Sequence, residues 1–72
     1  MKKLNGVLAS RFYDMCEGIK NSLNNEDLNF YFGIACGFAS GLLLTDTIDI
    51  ECYKAMREYI DTVHGIWYQS EK

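Results

Sequence analysis

Gly33, Gly37 and Gly41 stand four residues apart inside FYFGIACGFASGLLL, and that ladder limits what the chain can fold into. Four residues is about one helical turn, so the glycines line one stripe of a helix and open its backbone to close approach. Each costs roughly 1 kcal/mol of helix propensity against alanine. A segment that carries three must recover the loss by packing. Cys36 and Ser40 extend the same small-residue surface. The ladder predicts a tight helix–helix contact, with the third helix of the chain or with a second copy.

The rest of the composition agrees with a helical chain. At 72 residues it is expected to form one domain, near the size at which a single core only just sustains folding. Hydrophobic content of 49% favours a packed core over disorder. There is no proline, which permits long helices and weighs against a turn-rich β fold. The predicted class is all-α, a three-helix up–down–up bundle over residues 1–72, with helices near 3–22, 25–44 and 49–69.

Each helix has its own signature. Leu4, Leu8, Phe12, Met15, Ile19 and Leu23 recur at helical spacing, with Val7 and Cys16 widening the stripe. Gly18 weakens that first helix without breaking it. Asn24 reads as the next N-cap, with Glu26 and Asp27 in the first turn and Leu23 and Leu28 placed for a hydrophobic staple. The second helix shows apolar or small residues around most of its circumference, so it is expected at the centre. Asp49 reads as the third N-cap, with Ile48 and Tyr53 as a second staple. Tyr53, Met56, Ile60, Val63 and Trp67 then follow an a/d heptad register. That register runs through Gly65, which is expected inside the helix.

Several chemistries find little support. Lys and Arg do not form a basic stripe, so direct nucleic-acid binding is not expected. Cys16, Cys36 and Cys52 lack disulfide or metal-ligand spacing and read as buried free thiols in a reducing, cytoplasmic setting. His64 falls at an outer heptad position, and with the cysteines it matches no metal-binding pattern. Cys52 lies about 18 Å from His64 along one helix axis, too far for a catalytic pair. No catalytic residue, cofactor or metal is therefore expected. The start, MKKLNGVLAS, is too soon followed by Arg11, Asp14 and Glu17 to read as a secretory signal.

A glycine ladder also suggests helix association in lipid. The uncharged run Leu28 to Thr45 would span about 27 Å, just short of the hydrocarbon core. Its flanks, Asp27 and Asp46, are acidic where membrane anchors are basic. A small membrane-associating protein is thus the alternative to a soluble one.

Surplus apolar surface remains after three helices are packed, and it favours a protein–protein interaction module that self-associates, most simply as a homodimer. Small acidic helical chains without catalytic constellations resemble phage and mobile-element accessory proteins, in size and composition alone. That resemblance implies an inhibitor or adaptor docking on a host protein. The expected contacts are the acidic turn Asp46, Asp49 and Glu51, for steering, and an aromatic edge of Tyr59, Trp67 and Tyr68, for anchoring.

Overall fold

Asparagine and aspartate side chains set where each helix begins. The computed structural model describes residues 3–70, the side chain of Ser70 aside, and contains α1 (Gly6–Lys20), α2 (Asn25–Leu44) and α3 (Ile50–Ser70). Asn5 Oδ1 accepts from the Leu8 amide at 2.8 Å, so α1 begins at Gly6, later than its apolar stripe. Asn24 Oδ1 accepts from the Asp27 amide at 2.9 Å, and Asp49 Oδ1 from the Cys52 amide at 2.9 Å. Each cap satisfies an amide that the first turn leaves unpaired.

The end of α2 is equally specific. Thr45 closes the helix and Asp46 takes the left-handed conformation, at φ 62°. The Asp46 amide then donates to the Leu43 carbonyl, and the Thr47 amide to the Leu42 carbonyl. This is a Schellman stop, in which aspartate fills a position that glycine usually holds. Ile48 follows at once and is fully buried. Short connections on both sides make neighbours antiparallel, and every pair of helices is in contact. The fold is an all-α three-helix bundle.

Its core joins Phe12, Cys16 and Ile19 of α1, Leu28, Ala35 and Ala39 of α2, and Met56, Ile60, Val63 and Trp67 of α3, with Ile48 from the turn. The heptad of α3 accounts for its whole contribution. Two expectations on α1 and the following turn fail. Val7 is exposed, and Leu23 stands 84% exposed, so no Leu23–Leu28 staple forms. At the turn, Trp67 Nε1 donates to the Ser22 carbonyl at 2.8 Å and ties the residue before Leu23 to the end of α3. Gly65 lies within α3, which continues to Ser70.

The glycines divide against expectation. A methyl group at Gly18 would stand 2.5 to 2.9 Å from ring atoms of Tyr31. Gly18, which only weakened α1 in the sequence, is where the Tyr31 ring of α2 packs against the α1 backbone. Gly33, Gly37 and Gly41 would meet nothing within 4 Å. The expected contact between the glycine ladder and α3 is absent, and α2 is not enclosed; the ladder faces away from the core.

This division predicts opposite effects of one substitution. Gly18→Ala forces the Tyr31 ring off its seat and should cost about 1–3 kcal/mol. Gly37→Ala meets open space and should add about 0.5–1 kcal/mol by favouring the helix and restricting the unfolded chain. Urea denaturation of dilute protein checks both. Equal and small effects would show that Gly18 is not a packing position.

Candidate interaction surfaces

Two surfaces stand out among the described residues once the core is closed. The first is the solvent side of α2. Phe30, Ile34 and Leu44 are exposed there at 62, 37 and 85%, around the open stripe Gly33, Gly37 and Gly41. Helical spacing places all six within one face. Cys36 and Ser40 sit to one side of it, half-buried on the seam with α3. The Tyr53 hydroxyl accepts from Arg57 Nη1 at 3.3 Å. Hydrogen bonds from Ser40 and then Arg57 hold that hydroxyl below its ordinary pKa. Arg57 Nε is buried without a hydrogen-bond partner. Cys36 and Ser40 thus belong to the α2–α3 seam, beside the glycine stripe.

The second surface is a groove between α1 and α3. Lys3, Leu4, Ala9, Tyr13, Asp49, Glu51, Cys52 and Ala55 line a depression of about 410 Å³. A smaller one, about 230 Å³, continues it through Leu4, Tyr13, Cys52 and Ala55 to Phe12, Met56 and Tyr59. Tyr13 and Tyr59 meet edge to face at 5.4 Å, and both are about half exposed. Phe12 lies beneath them, 5.8 Å from Tyr13 and 5.9 Å from Tyr59. Burial first, then Cys16, Tyr13 and Glu17, raises the Tyr59 hydroxyl above its ordinary pKa.

The expected contact residues are partly gathered and partly scattered. Asp49 and Glu51 stand at one end of the groove and Tyr59 at the other. Asp46 lines neither depression; its left-handed backbone and place in the Schellman stop account for it structurally. Trp67 is only 4% exposed and its indole N–H is bonded to Ser22, so it is a core residue rather than part of an aromatic edge. Tyr68 is exposed but nine positions from Tyr59, which puts it on the opposite side of α3. There its ring meets those of Trp67 and His64. His64 itself is half-buried, 4.7 Å from the Phe32 ring, and not the freely solvated residue that its heptad position suggested.

Ala55 was not singled out in the sequence, although it flanks the core position Met56 and could have been read as a seam residue. Among the described residues, no group of three or more His, Cys, Asp or Glu is arranged to hold a metal ion. Cys16, Cys36 and Cys52 are free thiols. Comparison with protein-family models, with curated proteins and with solved structures finds no significant match.

The buried thiol yields a pH prediction. Burial, then the nearby Cys36 and Glu17, pushes Cys16 up from 9.0 to about 11. The folded state therefore holds the Cys16 proton more tightly than the unfolded chain does. Its contribution is fully present below about pH 9 and is lost as the pH rises through about 11. Tyr59 acts with the same sign. Stability should fall across that window, and Cys16→Ala should make the fall shallower, as measured by denaturation at stepped pH. An unchanged slope would show that the thiol is not desolvated.

Proposed function

We propose that the chain is a non-enzymatic protein–protein interaction module, a cytoplasmic inhibitor or adaptor of the phage or mobile-element kind that docks on another protein. We further propose that it pairs with its own copy through the glycine face of α2. The observation that supports this reading is the exposed side of α2: Phe30, Ile34 and Leu44 surround a glycine stripe with open space above it. Scattered exposed apolar residues are ordinary, but a continuous uncharged stripe on so small a domain is what partners cover. Glycine lets a facing helix approach closely, so main-chain packing can offset what the glycines cost α2 in propensity. A two-fold pair is the simplest closed arrangement.

One observation favours a second reading. α2 is long and apolar enough to cross a membrane, and only 17% of its most apolar window is buried. Against insertion stand the acidic flanks Asp27 and Asp46 and the apolar faces of α1 and α3, which would lose their cover. A paired α2 keeps that cover and the stripe dry.

Sedimentation equilibrium at tens of micromolar tests the pairing. Wild type should approach twice 8.3 kDa, and Gly37→Leu, which fills the stripe, should sediment as monomer with unchanged helical circular dichroism. Wild type at 8.3 kDa would remove self-association from the proposal. Recovery of the protein only with membranes would favour the second reading.

A further inference from the structure

We draw no further inference here: the strongest candidate, the apolar groove between α1 and α3 lined by Leu4, Phe12, Ala55, Met56 and Tyr59, carries nothing because nothing in the structure shows what covers it.

Discussion

The seating of the Tyr31 ring on Gly18 is the contact on which the arrangement of the bundle depends. A glycine in the last turn of α1 admits a ring where any side chain would collide. That fixes which side of α2 turns toward α1. With Tyr31 against α1 and Phe32 against His64 of α3, the side centred on Leu28, Ala35 and Ala39 faces the core. The face bearing Gly33, Gly37 and Gly41 is then carried outward, half a circumference away. The ladder is open because a different glycine makes the close approach.

Both candidate surfaces follow from that orientation. The outward face of α2 is uncharged, narrow and bordered by exposed Phe30, Ile34 and Leu44. Between α1 and α3, the Phe12 ring lies against Tyr59, and the smaller Ala9, Cys52 and Ala55 line a groove. One surface is an open uncharged face, and the other a groove with Leu4, Phe12 and Met56 among its lining residues.

Much of the fold is legible in the residues because local signals act alone. The Asn24 and Asp49 caps form the hydrogen bonds that their position implies, and the heptad of α3 names its own buried residues. What cannot be read locally is the choice among faces of α2. Apolar and small residues surround that helix, so periodicity does not say which side is buried; the tertiary contact between Gly18 and Tyr31 decides it. The same limit explains Trp67. Its amphipathic ring suits an interface or a core equally well, and the Ser22 carbonyl, 45 positions away, is the partner that draws it inside. Asp46 looked functional for its charge, yet the left-handed turn that it occupies depends on backbone geometry that composition does not display.

Nuclear Overhauser contacts at the glycine α-protons test the central claim most directly. The account predicts strong contacts, and an upfield ring-current shift, between the Gly18 α-protons and the Tyr31 ring, with no contact from Gly37 to α1 or α3 of the same chain. Intramolecular contacts from Gly37 to α3, with Gly18 silent, would show that α2 is turned the other way and would contradict the account.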